Sequence, residues 1–204
     1  MRCTTAARRL LHGAGFLALA TLACRPEGLR SLGEGLRIEP PRPKPDVTFT
    51  TTAGRPFRFR QETDGRPLLL FFGYTHCPDV CPLHMANIAA ALRQLSPELN
   101  QAVQVVFVTT DPRRDTPGQL RGWLDHFSPR FIGLRGDSTV IAEAMQYLHL
   151  TEPLPLPMTH DTNYTVSHPA MVLGFARDNL AHVAYPFGTR LEDWVRNIPE
   201  LVSQ

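Results

Sequence analysis

The chain has 204 residues, of which 43% are hydrophobic and 20% charged, the balance of a globular protein rather than of a disordered or fibrous one. That length allows one domain of ordinary size plus an appended segment. The formal charge of +2 is spread along the sequence without a Lys/Arg run, so nothing indicates a surface for nucleic acid.

The first two dozen residues have the pattern of an export signal. Three arginines and no acidic residue precede an apolar stretch at residues 10–23, which is short for a membrane span of about 20 residues. The stretch ends in Leu-Ala-Thr-Leu-Ala-Cys, which resembles a bacterial lipoprotein processing site. We therefore expect residues 1–23 to be a signal peptide and Cys24 to carry a lipid. The domain would then face the periplasm or the cell exterior from the bacterial membrane, with ordinary cleavage or an uncleaved anchor as alternatives.

A segment rich in proline and glycine follows the signal. Residues 24–45 include the run Pro-Pro-Arg-Pro-Lys-Pro and few apolar side chains, which predicts an extended tether to a folded domain at residues 46–204. If Cys3 leaves with the signal and Cys24 is acylated, the domain keeps only Cys77 and Cys81. No structural disulfide framework is then expected.

Hydrophobic periodicity predicts an α/β domain. Alternation on either side of a turn at residues 53–54 predicts an N-terminal hairpin, and the apolar run at 68–72 predicts a strand buried on both faces. Helices are predicted at 82–95, from 117 to 127, at 138–148 and at 191–202, with strands at 103–108, 131–134, 170–175 and 182–185. This alternation indicates a central mixed sheet flanked by helices.

Cys77 and Cys81 lie between the buried strand and the helix after it, where ligand sites gather in open α/β sheets. Proline is favoured in a first helical turn, so Pro82 predicts Cys81 at or near the N-cap. A helix N-terminus lowers the pKa of a nearby thiol, which favours metal binding or disulfide exchange. The four-residue spacing suits a two-sulfur metal clamp better than a relaxed disulfide, although the prolines of this turn leave a disulfide open.

A third metal ligand is sought among the histidines, because two thiolates can hold Cu(I) whereas Cu(II) favours an added imidazole. His168 precedes the predicted strand at 170–175, and in a thioredoxin-like sheet the loop entering that strand faces the first strand-to-helix turn. His168 is therefore the candidate, with a turn-capping histidine as the alternative. His76 and His84, which flank the cysteines, are weaker candidates and are otherwise interpreted as solvated. Solvent-facing or core positions are expected for His126, His149 and His182.

Two segments carry a family resemblance. Residues 72–82, Phe-Gly-Tyr-Thr-His-Cys-Pro-Asp-Val-Cys-Pro, and residues 110–117, Thr-Asp-Pro-Arg-Arg-Asp-Thr-Pro, resemble the Sco/SenC proteins, copper chaperones of cytochrome c oxidase assembly. The resemblance extends from about residue 46 to the C-terminus and implies a thioredoxin-like fold. It implies that Cys77, Cys81 and His168 bind Cu(I) or Cu(II). The family usually has a small polar residue where this chain has Pro169.

The resemblance also implies partners and supporting residues. The expected client is the CuA centre of cytochrome c oxidase subunit II, and another periplasmic copper chaperone is a second expected partner. Asp79, Asp111 and Asp115 are expected to support the site, with helix capping as the alternative for Asp115. The loop at residues 153–158, whose Met158 is a candidate transient copper ligand, would contact the partner.

Two rival hypotheses use the same cysteines. A thiol-disulfide reductase would keep the CuA cysteines reduced and would not need His168. A peroxiredoxin-like enzyme would need an arginine beside its thiol, and residues 79–87 contain none. Arg114 is the arginine that folding could bring close.

Overall fold

The computed structural model of the protein describes residues 35–151, 154–155 and 164–204. The predicted signal peptide, Cys24 and Met158 lie outside these ranges. Within them, none of the helices combines the length and the hydropathy that a membrane crossing requires.

The described part of the chain contains ten strands and six helices. The strands are β1 Leu36–Pro43, β2 Thr48–Thr51, β3 Pro56–Arg58, β4 Leu68–Gly73, β5 Gln104–Thr109, β6 Ile132–Arg135, β7 Leu154–Pro155, β8 Val166–Ser167, β9 Met171–Phe175 and β10 Leu180–Pro186. The helices are α1 Phe59–Glu62, α2 Val80–Gln94, α3 Pro97–Ala102, α4 Pro117–Asp125, α5 Ser138–Tyr147 and α6 Leu191–Ser203.

Eight strands form one sheet in the order β1-β10-β9-β4-β5-β6-β2-β3, and β7 pairs separately with β8. Strand β4 runs parallel to β5, and β5 to β6, whereas β4 pairs antiparallel with β9. The predicted mixed sheet, the N-terminal hairpin β2–β3 and the closing hairpin β9–β10 are therefore confirmed.

The central strand β4 is buried along its whole length, as its continuous apolar sequence predicts. Successive side chains of a strand point to opposite faces, so Leu69 and Phe71 pack in one core with residues of α2, α4 and α6. Leu68, Leu70 and Phe72 pack in a second core on the side of α5. Because helices cover both faces of the sheet at β4, its sequence is apolar throughout and does not alternate between apolar and polar residues.

The segment expected to be a tether is, in its second half, part of the sheet. Strand β1 pairs antiparallel with β10 at the edge of the sheet, and its Ile38 side chain is buried. Prolines are tolerated there because an edge strand has one side without a ladder partner. Lys44 is 1% exposed, and its ammonium donates to the carbonyl oxygens of Thr63 and Arg66. The tether prediction was wrong here because it counted apolar side chains and did not foresee a buried, hydrogen-bonded lysine.

Helix α2 begins earlier than the sequence predicted. Asp79 is the N-cap, and its side chain accepts a hydrogen bond from the amide of Val80. Cys81 therefore lies in the first helical turn, two residues after the N-cap, which confirms the prediction that it is near the helix N-terminus. The short helix α3 was not predicted, although Ser96 before Pro97 is a helix-start signal.

Candidate metal centre

The cysteine loop begins where β4 ends against the first turn of α2. The amide of Cys77 donates to the carbonyl oxygen of Tyr74 at 3.2 Å, which folds the loop back on the strand end. Gly73 allows Cys81 to approach the strand, since a Cβ on Gly73 would lie 2.6 Å from Cys81 Sγ. This close approach buries Cys81 completely, while Cys77 is 8% exposed.

Folding brings His168 to the two thiols from a distant part of the chain. The Nε2 atom of His168 lies 3.5 Å from the Sγ atoms of both Cys77 and Cys81. All three candidate ligand atoms lie within 4.8 Å of one another. The two sulfurs and one imidazole nitrogen thus converge on one point, and they form a soft donor set that could hold a metal ion.

The imidazole is oriented by its own backbone. The Nδ1 atom of His168 lies 3.1 Å from the carbonyl oxygen of Pro169, and a carbonyl can only accept, so Nδ1 carries the hydrogen. The Nε2 lone pair therefore faces the sulfurs. The rings of Phe71 and Tyr74 contact the imidazole edge-on, with centroids 5.9 and 5.5 Å away. Pro169, which departs from the Sco/SenC pattern, does not turn the ring away from the cysteines.

The two thiols differ in charge. A hydrogen bond from the Cys81 thiol lowers the pKa of Cys77 to about 4 in spite of burial. Burial raises the pKa of Cys81, and the neighbouring Cys77 adds to the effect. At neutral pH the metal-free pair thus consists of a Cys77 thiolate and a Cys81 thiol. Both cysteines are free rather than joined in a disulfide.

Asp115 supports the cysteine loop from beneath. Its carboxylate is fully buried and accepts hydrogen bonds from the amide and the hydroxyl of Thr75 and from the hydroxyl of Thr109. The alternative interpretation of Asp115 as a helix cap is wrong, because Thr116 accepts the capping hydrogen bond from Gln119. The buried carboxylate has three donors because the ends of β4 and β5, near which Thr75 and Thr109 lie, are next to each other.

Asp111 supports the histidine segment instead. Its carboxylate accepts a 2.9 Å hydrogen bond from the hydroxyl of Tyr164 and a second one from Arg114 Nε. Sequence patterns did not identify Thr75, Thr109 or the bond made by Tyr164 as parts of the site. Single threonines at strand ends and a loop tyrosine carry no periodicity that could have indicated them.

The remaining histidines take other positions. The expectation that His84 is solvated was wrong, because it is buried against Phe71 and Trp194 on the core face of α2. Burial lowers its pKa to about 4, so it is neutral at physiological pH. It is not among the three clustered ligands. His76, His126 and His149 are exposed, as interpreted from the sequence, and His182 is bonded to Asp178.

Known proteins are similar to this chain in both sequence and fold. A family model described as SCO1/SenC matches residues 38–203. A Stutzerimonas stutzeri protein provisionally named copper-binding is 31% identical over 203 residues, which cover 98% of this chain and 96% of that one.

Two solved structures extend the comparison. Bradyrhizobium japonicum ScoI with copper bound is 30% identical with a TM-score of 0.68, covering 76% of this chain and 97% of that chain. Apo Sco1 from Thermus thermophilus is 30% identical with a TM-score of 0.73, covering 86% and 100%. The thioredoxin-like fold expected from the sequence is confirmed by these similarities.

Proposed function

Because the chain belongs to the SCO1/SenC family, we propose that it binds copper through Cys77, Cys81 and His168 and delivers it to the CuA centre of cytochrome c oxidase during assembly. Copper bound to the similar Bradyrhizobium japonicum protein supports the choice of metal. The observation that carries the proposal is the position of His168 Nε2, 3.5 Å from each sulfur with its lone pair directed at them. The sequence resemblance is the basis for naming the partners, which are the oxidase, its subunit II and a second periplasmic chaperone.

The donor set suits a cargo that changes oxidation state. Thiolates are soft ligands that hold Cu(I) in a low-coordinate site, and the imidazole adds the ligand that stabilises Cu(II). His168 is only half-buried, whereas the two sulfurs lie deeper. A partner could therefore replace the imidazole first and take the metal from the thiolates afterwards. Asp79, Asp111 and Asp115 position the loops that carry the ligands.

Attachment to a membrane is part of the same proposal. Residues 1–23 would direct export, and a lipid on Cys24 would hold the domain at the outer side of the bacterial membrane. Any linker ends before β1, which begins at Leu36. Mass spectrometry of the mature N-terminus checks this: a diacylated Cys24 supports the lipid anchor, and an intact Met1 or an unmodified mature end contradicts it.

Copper titration of the protein tests the ligand set. Wild type should develop a sulfur-to-Cu(II) charge-transfer band at one equivalent of copper, and Cys77→Ser should lose it. His168→Ala should lose stable Cu(II) binding while retaining Cu(I), because both thiolates are still present. His126→Ala, which changes an exposed histidine, is the matched control. Absence of the band in wild type, together with unchanged copper affinity in Cys77→Ser, would contradict the proposal.

A thiol-disulfide reductase is the second candidate, favoured by the unequal ionisation of the thiols. The Cys77 thiolate would attack a client disulfide, and Cys81 would then displace the client as a dithiol, leaving a Cys77–Cys81 disulfide that a thiol reductant must reduce. His168→Ala separates the two functions. Loss of oxidase maturation in that variant supports the chaperone, and retained maturation supports the reductase.

The peroxiredoxin-like hypothesis is checked by a peroxide-consumption assay. The Arg114 guanidinium is engaged with the Asp111 carboxylate and the ring of Tyr164. We expect no turnover of peroxide above that of the Cys77→Ser variant.

A further inference from the structure

Tyr164 lies four residues before His168 and is held by the loop between β5 and α4. Its hydroxyl donates a 2.9 Å hydrogen bond to the Asp111 carboxylate. The guanidinium carbon of Arg114 lies 3.7 Å from the centroid of its ring, and Arg114 also bonds the same carboxylate. The ring face and the hydroxyl of Tyr164 are thus both fixed by one loop.

That loop is joined to the cysteine loop by a polar network. The amide of Asp111 donates to Thr109 Oγ1 at 3.0 Å, and this hydroxyl donates to Asp115 at 2.6 Å. Asp115 accepts from the amide and hydroxyl of Thr75, which lies two residues before Cys77. Asp111 and Asp115 are both buried, so these bonds are shielded from competing water. The network connects Tyr164, at the start of the histidine segment, to the loop that bears Cys77.

The imidazole does not supply this connection through Nδ1, since that atom bonds the carbonyl of the adjacent Pro169. Downstream of the ring, the carbonyl of Ala170 accepts a 2.7 Å bond from the amide of Phe187. Upstream, the side chain of Tyr164 anchors the segment to Asp111. Between Tyr164 and His168, Val166 is buried and its backbone bonds the hydroxyl of Tyr74 in the cysteine loop. The histidine thus follows a segment held at both Tyr164 and Val166, and Tyr164 is the anchor that bonds Asp111.

We propose that Tyr164 is a positioning residue for His168, and that its bond to Asp111 determines how well the site holds Cu(II) relative to Cu(I). This inference rests on the proposed copper binding. Loosening the upstream anchor lets the imidazole move away from the sulfurs, and Cu(II) depends on that imidazole more than Cu(I) does. The two thiolates are not displaced by the change. The Tyr164–Asp111 bond therefore biases the site toward the oxidised metal.

Tyr164→Phe removes only the hydroxyl and retains the ring. Loss of a hydrogen bond to a charged group changes an equilibrium constant by about tenfold. Cu(II) affinity should therefore fall about tenfold in competition titrations, while Cu(I) affinity stays within twofold. The Cu(II) electron paramagnetic resonance spectrum should shift as well. Asp111→Asn should reproduce the change, and the double variant should lose no more than either single one. Tyr147→Phe, at a tyrosine that is 45% exposed on α5, is the matched control.

Hydrogen exchange of the metal-free protein provides a readout that does not need copper. Amides of residues 165–168 and 170 should exchange about tenfold faster in Tyr164→Phe, with those of α6 unchanged. Unchanged exchange, or equal losses of Cu(I) and Cu(II) affinity, would overturn the inference. If wild type binds no copper, the proposed function fails, and exchange alone then decides whether Tyr164 positions the segment.

Discussion

The Asp115 carboxylate accepts hydrogen bonds from both the amide and the hydroxyl of Thr75, at 3.0 and 2.7 Å. A carboxylate that is fully buried must find such donors, because an ionised group without them is costly to remove from water. The two bonds fix the backbone just before Cys77. The cysteine loop is therefore held by a residue that is not one of the three clustered candidate ligands.

Asp115→Asn should destabilise the metal-free protein by about 2–3 kcal/mol, because the amide replaces an acceptor with a donor that faces other donors. Urea unfolding measures this change. Asp125→Asn, at an exposed residue of α4 paired with Arg121, should alter the free energy of unfolding by less than about 0.5 kcal/mol. Equal stability of Asp115→Asn and wild type would show that the carboxylate does not support the loop.

The ionisation of Cys77 predicts a distinctive pH profile. In reduced, metal-free protein, iodoacetamide should modify Cys77 before Cys81, at a rate that is nearly constant between about pH 6 and 8. The reason is that the pKa of Cys77 is lowered to about 4, so its reactive thiolate is already formed across this range. The unfolded chain, whose thiols have a pKa of about 8.5, should instead react faster as pH rises. Peptide mass spectrometry assigns the site, and first modification at Cys81 would contradict the prediction.

Gly73→Ala should disturb the metal centre directly. The new Cβ would lie 2.6 Å from Cys81 Sγ and 3.1 Å from the ring of Phe107, both in the packed core. Such overpacking costs about 1–3 kcal/mol, and it should displace Cys81 and weaken the charge-transfer band of the Cu(II) protein. Gly118→Ala is the control, since nothing lies within 4 Å of its added Cβ in α4. If the Cu(II) spectrum of Gly73→Ala were the same as that of wild type, the end of β4 would accommodate the new methyl group without displacing Cys81.

Lys44→Met tests whether the region before the hairpin belongs to the folded domain. The ammonium of Lys44 donates to the carbonyl oxygens of Thr63 and Arg66 and to Asn179 Oδ1, and methionine would remove all three hydrogen bonds from a buried position. Thr63 O and Asn179 Oδ1 would keep their bonds from the amides of Arg66 and Gly65. We expect a loss of about 2–4 kcal/mol in thermal or urea unfolding. Arg37→Met changes an exposed side chain of β1 and should be nearly neutral. If Lys44→Met were equally neutral, the buried ammonium would contribute nothing to stability.

Periodicity and local chemistry predicted most of the elements because they are short-range properties. The apolar run of β4 specified a strand covered on both faces, and the cysteine spacing after it specified a soft site at the end of that strand. The predicted start of α2 was two residues too late, because Asp79 is the N-cap and the prediction had placed the helix start at Pro82. Strand β1 was missed because its partner β10 lies more than 130 residues later in the chain.

The sequence by itself determined that Cys77 and Cys81 stand together at a strand-to-helix turn, because four residues of chain keep them near each other in any fold. Whether His168 joins them was decided only by the tertiary structure, since β9 must pair beside β4 for a residue 87 positions from Cys81 to reach its sulfur. The same holds for Asp115 and Tyr164, whose partners become neighbours only once the strand ends meet. Local composition encodes the ligands, and the packing of the sheet determines their geometry.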